Sequence, residues 1–285
     1  MALLIDHNLT TSLISVPFAE GWIEPSVPVT VKEGLSAADI TSEDVALLSI
    51  AEATLLAESH VITSDVAIVL DGVGPIAMRT PVRPDGVETT VVRLLDAGPT
   101  AEVLIRALLR PYFGITASTF AYGEDDPGAD TAEVVIVDGA LGLQQPEGGY
   151  QSDLVRDWFV LTGQGVVSHV AVIGLHALAR GPEAELNALH QAVELGRDRR
   201  REIRGIASQK WGVDDREAFA EVTNRQRFSL TPEDRNSAVN MIARGSWGGR
   251  FGKRLPAFRD MIDEGTSEDI ASSDDSADDP GNRQE

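Results

Sequence analysis

The chain has 285 residues, 42% hydrophobic and 24% charged, so it can bury a sizeable core in one large domain or two lobes. Its net charge is −21, and segment 263–285, with nine acidic residues and one arginine, contributes −8. This charge repels phosphate backbones and anionic lipid surfaces, so we expect neither nucleic acid nor membranes as partners. The absence of cysteine excludes disulfides, thiolate metal sites and cysteine nucleophiles.

The N-terminal sequence and the hydropathy pattern favour a cytoplasmic protein. Residues 1–7 carry no basic region, and their apolar run is too short for a secretory signal peptide. No window of the sequence reaches the roughly 18 apolar residues that a transmembrane helix needs. We therefore expect a cytoplasmic location.

The first two thirds of the chain mix strand-like and helix-like segments. Runs of β-branched and apolar residues predict strands, and apolar residues at helical spacing predict helices. The predicted strands lie within 12–18 and at 44–48, 61–62, 66–70, 75–80, 91–95, 134–137 and 166–173. The predicted helices lie at 50–58, after an N-cap at Thr100, and at 153–161. This mixture is typical of an α/β protein.

The C-terminal third has a different pattern. From residue 182 onward, apolar residues recur at helical spacing, which predicts a helical region. Thr231 followed by Pro232 is typical of a capped helix start. The tail 263–285 is rich in Asp and Ser and has almost no apolar residues, so we expect it to be disordered.

Several predicted strands end at a hydroxyl or acidic residue where a helix is predicted to begin. Ser49 ends one such strand, Asp138 ends another, and Thr100 follows a third. In an α/β sheet, these junctions line up along the carboxyl edge of the strands, where helix N-termini present free N–H groups. The sequence therefore predicts a cleft that holds a small anionic molecule.

The order of these motifs resembles the menaquinone-biosynthesis MqnA/MqnD family over roughly residues 12–243. Asp44–Glu52, for example, resembles the family's Asp-Val-Ala-x-x-Ser-x-x-Glu. The segments that carry the resemblance are Leu13–Gly21, Asp44–Glu52, Leu95–Leu104, Ile136–Leu141 and Asp153–Gly163. No single segment is specific, and the resemblance lies in their order and spacing.

The resemblance implies a two-lobed fold similar to that of periplasmic solute-binding proteins, with a cleft between the lobes. We expect residues 1–80 in lobe 1, 81–170 in lobe 2, and 171–262 to return to lobe 1 and add the C-terminal helices. The resemblance also implies a chorismate dehydratase, which converts chorismate to 3-[(1-carboxyvinyl)oxy]benzoate without a metal or an organic cofactor. The implied partner is thus a small carboxylate such as chorismate.

One position departs from the family pattern. The family's asparagine, implicated in the dehydration, falls on Ile14, which can neither exchange a proton nor form a hydrogen bond. Asn8 is six residues earlier and is expected to lie far away if this segment is extended.

Two alternatives to the dehydratase therefore stay open. One is a non-catalytic cytosolic protein that binds a small anion. The other is a later enzyme of the futalosine pathway that acts on a futalosine-type product. A polar residue facing the cleft near Ser12–Ser15 would favour catalysis, whereas an apolar wall would favour binding alone.

Six residues are candidate ligand contacts, namely Ser15, Ser49, Thr100, Ala101, Asp138 and Gly139. The serines could instead lie in caps or turns, and Thr100 could serve only as a helix cap. For Asp138, we favour acceptance of hydrogen bonds from a following helix over the role of a catalytic base. His169 is predicted to be neutral and satisfied by the backbone. The other histidines lack metal-ligand spacing, so no metal site is predicted.

Overall fold

The computed structural model describes residues 1–123, 125–126 and 128–261, which form two β-sheets with flanking helices. The predicted α/β class with a helical C-terminal region is confirmed. The acidic segment 263–285, predicted to be disordered, lies outside the described residues. No helix in the described ranges is long and apolar enough to cross a membrane.

The regular elements follow one another along the chain. The strands are β1 (Leu3–Asp6), β2 (Val29–Lys32), β3 (Val45–Ser49), β4 (His60–Leu70), β5 (Ala77–Thr80), β6 (Thr89–Leu94), β7 (Thr116–Tyr122), β8 (Ala132–Val137), β9 (Tyr150–Asp153), β10 (Val166–Gly174), β11 (Gln226–Arg227) and β12 (Ala257–Arg259). The α-helices are α1 (Ser12–Ala19), α2 (Ile50–Ala53), α3 (Pro99–Leu108), α4 (Gly139–Leu143), α5 (Leu154–Thr162), α6 (Leu175–Arg180), α7 (Glu183–Asp198), α8 (Arg200–Trp211), α9 (Arg216–Arg225) and α10 (Pro232–Gly245). Short 3₁₀ turns lie at Ala37–Asp39, Thr54–Leu56, Pro84–Gly86 and Ala129–Thr131.

The first sheet combines strands from both ends of the described chain. Its order is β11-β4-β10-β3-β1-β2, and β12 pairs with β4 outside this path. β1 runs parallel to β2 and β3, whereas β10 runs antiparallel to β3 and β4. The register places His169 of β10 opposite Ser49 of β3. This pairing brings residues from distant parts of the sequence to one edge of the sheet.

The second sheet is built from the middle of the chain, in the order β7-β6-β8-β5-β9. The chain enters this sheet with β5 at Ala77, three residues before the predicted lobe boundary at residue 80. It returns to the first sheet with β10 at Val166, before the predicted boundary at residue 170. The two sheets form two lobes. The chain leaves the first lobe after β4 and returns to it at β10, and both strands belong to the first sheet. The predicted two-lobed arrangement is thereby confirmed.

The central strands of the first sheet are buried over their full length. Every residue of β3 and of β10 is buried, which explains why both read as nearly continuous apolar runs instead of alternating patterns. Burial of each large aliphatic side chain stabilises the fold by about 1.5–3 kcal/mol. Ser49 lies at the end of β3 and His169 lies within β10, so the buried strands hold both residues in place.

Two sequence-based expectations for the first lobe are wrong. The segment within 12–18, predicted as a strand, is helix α1, with Pro17 inside it. This short apolar run is buried along most of its length, so its periodicity does not distinguish a strand from a buried helix. The strands predicted at 61–62 and 66–70 form the single strand β4, and an irregularity in its pairing with β10 accommodates the polar residues between them.

The capping prediction for the last long helix is confirmed. Thr231 Oγ1 accepts a hydrogen bond from the Asp234 N–H, and the Asp234 carboxylate accepts one from the Thr231 N–H. This reciprocal pair satisfies two donors at the start of α10, and Pro232 occupies the first turn.

Candidate functional site

A cavity of about 370 Å³ lies between the two lobes, and we call it the interlobe cavity. Its volume falls within the range of about 300–1,000 Å³ that is typical of small-molecule sites. Both lobes contribute to its wall. The polar lining residues are Asp6, Asn8, Thr10, Ser49, Asp96, Thr100, Asp138, Ser168 and His169. The apolar surface comes from Leu9, Ile76, Pro99, Ala140, Leu141 and Trp211, together with Gly98 and Gly139.

The structure brings four of the six predicted contact residues to this wall. Ser49, Thr100, Asp138 and Gly139 all line the cavity. They come from different strand-to-helix junctions in the two lobes, as the sequence pattern predicted. Their contact with a ligand stays a prediction.

Ser15 and Ala101 are not among the lining residues. Ser15 is fully buried in α1, and its Oγ lies 2.8 Å from His7 Nδ1. The His7 ring packs edge-on against Trp211, with centroids 4.9 Å apart, and Trp211 forms part of the cavity wall. Ser15 therefore supports the wall from behind. Ala101 is also fully buried and does not line the cavity, so the structure does not bring it to the wall with the other candidate contacts.

Helices α2 and α4 begin at capping residues that line the cavity. Ser49 caps α2, and its Oγ accepts a hydrogen bond from the Glu52 N–H at 3.3 Å. Asp138 caps α4, and its Oδ1 accepts one from the Gly139 N–H at 2.6 Å. This outcome confirms the capping role favoured for Asp138. The partial positive charge at these helix starts favours an anion in the cavity.

The prediction that Thr100 caps α3 is wrong. The N-cap is Gly98, Pro99 occupies the first helical position, and Thr100 follows it inside the helix. The Thr100 hydroxyl instead donates a hydrogen bond to the Ser168 carbonyl oxygen at 3.0 Å, which ties α3 to β10. The sequence pattern misplaced the cap by two residues because proline favours the first helical position, which puts the cap at the residue before Pro99.

The start of α3 nevertheless offers two backbone donors. The first intrahelical hydrogen bond runs from the Glu102 N–H to the Gly98 carbonyl oxygen at 3.2 Å. The N–H groups of Thr100 and Ala101 precede this bond and have no acceptor within the helix. Thr100 lines the cavity, whereas Ala101 lies behind it and is fully buried.

A cluster of Asp6, Asn8 and His169 forms another part of the wall. Asp6 Oδ2 accepts a hydrogen bond from Asn8 Nδ2 at 2.9 Å and lies 3.2 Å from His169 Nε2. Asn8 Oδ1 accepts a hydrogen bond from the Thr11 N–H at 3.0 Å. The Asn8 side chain is thus held at both ends, and its position is defined before any ligand binds.

Three expectations about this cluster need correction. His169 pairs with side chains, since Ser168 Oγ lies 3.0 Å from its Nδ1, and is not satisfied by the backbone alone. Asn8 is not remote, because β1 ends at Asp6 and the chain turns there instead of continuing as a strand. Ile14, aligned with the family's asparagine, is fully buried in α1 and does not line the cavity. Asn8 is the amide that does.

A sequence signal for this cluster exists at the N-terminus. The apolar residues Leu3–Ile5 end at Asp6 and are followed by Asn8, the same pattern of an apolar run and a polar end that pointed to Ser49. β1 lies parallel to β3, so the carboxyl ends of these two strands meet at one edge of the sheet.

The electrostatics of the wall are dominated by carboxyl groups. Burial raises the pKa of Asp138 to about 6, against the opposing effects of the Gly139 and Gly98 N–H groups and of His169. Asp96 has a left-handed backbone, with φ of 50°, which costs a non-glycine residue free energy and is common at functional sites. No lysine or arginine of the described residues lines the cavity. An anionic group there would depend on backbone N–H groups and neutral donors.

The structure offers no set of metal ligands at this site. Within the described ranges, no group of three or more His, Asp or Glu side chains is arranged to hold a metal ion. What the wall can supply is backbone N–H donors, an amide, an imidazole and a carboxyl group with a raised pKa. These groups suit the binding of a small anion and a proton transfer.

Solved structures similar to this chain share the periplasmic-binding-protein type of fold. A protein from Archaeoglobus fulgidus has a TM-score of 0.62 at 11% identity, over 86% of this chain and 97% of that one. The periplasmic aliphatic sulphonate binding protein of Escherichia coli has a TM-score of 0.58 at 12% identity, over 99% and 98%. A Candida albicans protein with the generic periplasmic binding protein fold has a TM-score of 0.55 at 9% identity, over 87% and 91%.

At these identities, the similar structures show the fold alone. The family is identified by comparison of the sequence with known families. No curated protein matches the chain. The sequence profile of the family described as menaquinone biosynthesis matches residues 25–246, which is most of the chain. The match spans Ser49, Thr100 and Asp138. The chain therefore belongs to the menaquinone-biosynthesis family.

Proposed function

We propose that this chain is a chorismate dehydratase-like lyase of the futalosine route to menaquinone. The reaction would convert chorismate to 3-[(1-carboxyvinyl)oxy]benzoate and water. The ring carbon that carries the ether oxygen loses its proton, and the electron pair of that C–H bond becomes part of the ring π system. The neighbouring carbon releases its hydroxyl group, which takes up a proton to leave as water. Aromatisation drives the elimination, so the protein needs mainly to orient the substrate and move one proton.

One observation carries this proposal: the N-terminal starts of α2, α3 and α4 and the Asp6–Asn8–His169 cluster share the wall of one cavity. The helix starts can hold a substrate carboxylate through backbone N–H groups, including that of Thr100. Such binding suits a cavity without lysine or arginine among its described lining residues. The nearby carboxyl groups of the cavity disfavour an anion, so we place the substrate carboxylates at the helix starts.

We assign Asp138 as the group that accepts the ring proton. Its raised pKa, about 6, leaves it mostly ionised at neutral pH and makes it a stronger base than an exposed aspartate. Asn8 and His169 are the side chains that would hydrogen-bond to the departing hydroxyl. Asp6 holds both of them in place through its Oδ2.

The alternative without turnover, a small-anion binding protein, is favoured by the similarity to the sulphonate binding protein. Asn8 supports catalysis, because it places a polar side chain in the cavity beside the β1 end. An apolar wall at this point would have favoured binding alone.

Incubation of the purified chain with chorismate tests the proposal. Liquid chromatography measures both compounds, and a loss of chorismate with an equimolar gain of the aromatic product would support the lyase. Calorimetric binding without turnover would instead support the binding protein. Turnover of a cyclic futalosine derivative, but not of chorismate, would place the chain later in the pathway. An Asp138→Asn variant serves as a control for contaminating activity.

A further inference from the structure

A second cavity, of about 510 Å³, lies at the C-terminal end of α3 and shares no lining residue with the interlobe cavity. Its wall includes Arg106, Arg110, Arg244 and Trp247, and we call it the arginine cavity. Apolar side chains such as Leu109 and Ile115 form most of the remaining surface. A concave, mainly apolar site of this volume that contains a few charged groups is typical of small-molecule binding.

One side of the arginine cavity is held rigidly. Arg106 is only 4% exposed, and its Nε and Nη2 donate hydrogen bonds to Glu102 Oε1 at 3.2 and 2.9 Å. Its Nη1 donates to the Trp247 carbonyl oxygen at 3.2 Å, and Trp247 Nε1 donates to the Arg106 carbonyl oxygen at 3.1 Å. These reciprocal bonds fix the Trp247 indole, yet 45% of this residue is exposed. The cavity therefore has a preorganised aromatic surface.

The other charged groups of this cavity have open hydrogen-bond donors. Arg110 and Arg244 are exposed, and neither has a carboxylate partner among the described residues. A guanidinium offers five N–H donors in a planar arrangement that suits a carboxylate. Their location near the C-terminal ends of α3 and α10 favours positive charge there but uses none of these donors. In a chain of net charge −21, these unpaired guanidinium groups form a local positive patch.

We infer that the arginine cavity is a second ligand site, which binds a small aromatic carboxylate. The aromatic body would stack on Trp247 and contact the apolar wall, while the carboxylate would pair with Arg110 and Arg244. A small molecule fits better than a protein segment because the site is a cavity of small-molecule size and not a flat surface. The inference is independent of the proposed lyase, since no residue is common to the two cavities.

Titration with 2-naphthoate, measured by calorimetry, tests this inference. The neutral analogue 2-naphthylmethanol has the same rings and should bind at least about tenfold more weakly, since it lacks the charge-assisted hydrogen bonds. The double variant Arg110→Gln/Arg244→Gln should lose affinity for 2-naphthoate by a similar factor. A matched variant, Arg83→Gln/Arg201→Gln, removes the same charge from exposed positions elsewhere and should bind like the parent.

Trp247→Phe provides an independent readout of the location. The quenching of tryptophan fluorescence by 2-naphthoate should decrease strongly in this variant, although the chain retains its other three tryptophans. Thermal unfolding of each variant shows that it is folded. Equal affinity of the parent and the Arg110/Arg244 variant would overturn the inference, because it would place the probe elsewhere, including in the interlobe cavity. Equal affinity for the acid and the alcohol, or no binding at about 1 mM probe, would also overturn it.

Discussion

Gln144 Nε2 donates a hydrogen bond to Asp214 Oδ2 at 3.0 Å, and this bond joins the two lobes. Gln144 follows α4, whose start lines the interlobe cavity, and Asp214 lies three residues after Trp211, which lines it from the other lobe. Because the bond connects both sides of the cavity, it stabilises the arrangement in which the lobes enclose a ligand.

Loss of this bond should weaken ligand binding modestly. An Asp214→Ala variant should bind chorismate about 2- to 10-fold more weakly, the range for one net hydrogen bond of about 0.5–1.5 kcal/mol. Asp214→Asn keeps an acceptor oxygen and should stay close to the parent. Calorimetric dissociation constants measure the difference, and equal values for the two variants would show that the bond does not contribute to binding.

Asp138→Asn should lower kcat by about 10²–10⁴, the usual contribution of a general base. For the proposed lyase reaction, kcat/KM of the parent should rise with pH through an inflection near pH 6 and level off about one pH unit higher, because Asp138 must be ionised to accept the proton. Initial rates from about pH 5 to 8 measure both effects.

Asp153 provides a matched control for this pH dependence. Burial raises its pKa to about 6 as well, but it caps α5 and does not line the interlobe cavity. Asp153→Asn should therefore keep the parent's pH–rate profile. If it removes the inflection near pH 6 and Asp138→Asn does not, the assignment of the base is wrong.

The Asp138 carboxyl should itself contribute less to stability at neutral pH than at acidic pH. Its pKa is raised from 3.8 to about 6 in the folded state, so the folded protein binds the proton more tightly than the unfolded chain. Its contribution to stability is present below about pH 4 and is lost as the pH rises through 6. Asp138→Asn should thus gain up to about 3 kcal/mol at pH 8 relative to the parent and nothing at pH 4.

Denaturant unfolding of both proteins at pH 4 and pH 8 measures this difference. Asparagine is a good N-cap, so the substitution retains an acceptor for the Gly139 N–H. A gain of the same size at both pH values would assign the effect to packing and not to the charge of the carboxyl group.

The sequence predicts the cavity residues that end local strand-to-helix patterns. Ser49 and Asp138 each follow a buried apolar strand and cap the next helix, so their neighbourhood is encoded within about ten residues. The two-lobed fold was implied by the resemblance of these motifs to the menaquinone-biosynthesis family. These parts of the site depend on local sequence patterns, namely strand and helix propensities and helix-capping residues.

The Asp6–Asn8–His169 cluster depends instead on long-range pairing. Asp6 and His169 are 163 residues apart in sequence, and they meet because β3 pairs with both β1 and β10. The strand order of a sheet does not follow from the periodicity of any one strand, so prediction from sequence missed this pair. Ser15 was misplaced for a related reason, since its apolar segment forms a buried helix behind the wall.

Thr100→Ala should affect stability more than ligand affinity. The hydroxyl donates to the Ser168 carbonyl oxygen, and its loss should cost about 0.5–1.5 kcal/mol of unfolding free energy. The backbone N–H group of Thr100 remains, so affinity for chorismate should change by less than about tenfold. Thr100→Ser retains the hydroxyl and should match the parent. An affinity loss above this limit at unchanged stability would show that the hydroxyl itself contacts the ligand.

Gly142→Ala should severely destabilise the protein, because α4 lies directly against the segment that follows β4. A Cβ at Gly142 would lie 1.7 Å from the Pro75 carbonyl oxygen, a backbone atom that no rotamer change can move. The helix would have to shift by more than an ångström, at a cost of about 3 kcal/mol or more. Since Asp138 and Gly139 begin this helix, the shift should also reduce ligand affinity in any variant that still folds.

Gly205→Ala is the matched control for this substitution. Gly205 lies inside α8, and a Cβ there would meet no atom within 4 Å. Alanine favours the helix by about 0.5–1 kcal/mol relative to glycine, so this variant should be slightly more stable than the parent. Denaturant unfolding of the two variants gives opposite signs if the steric argument holds. A Gly142→Ala variant as stable as the parent would mean that α4 is not held against Pro75 in solution, and the position of Asp138 in the cavity would then need revision.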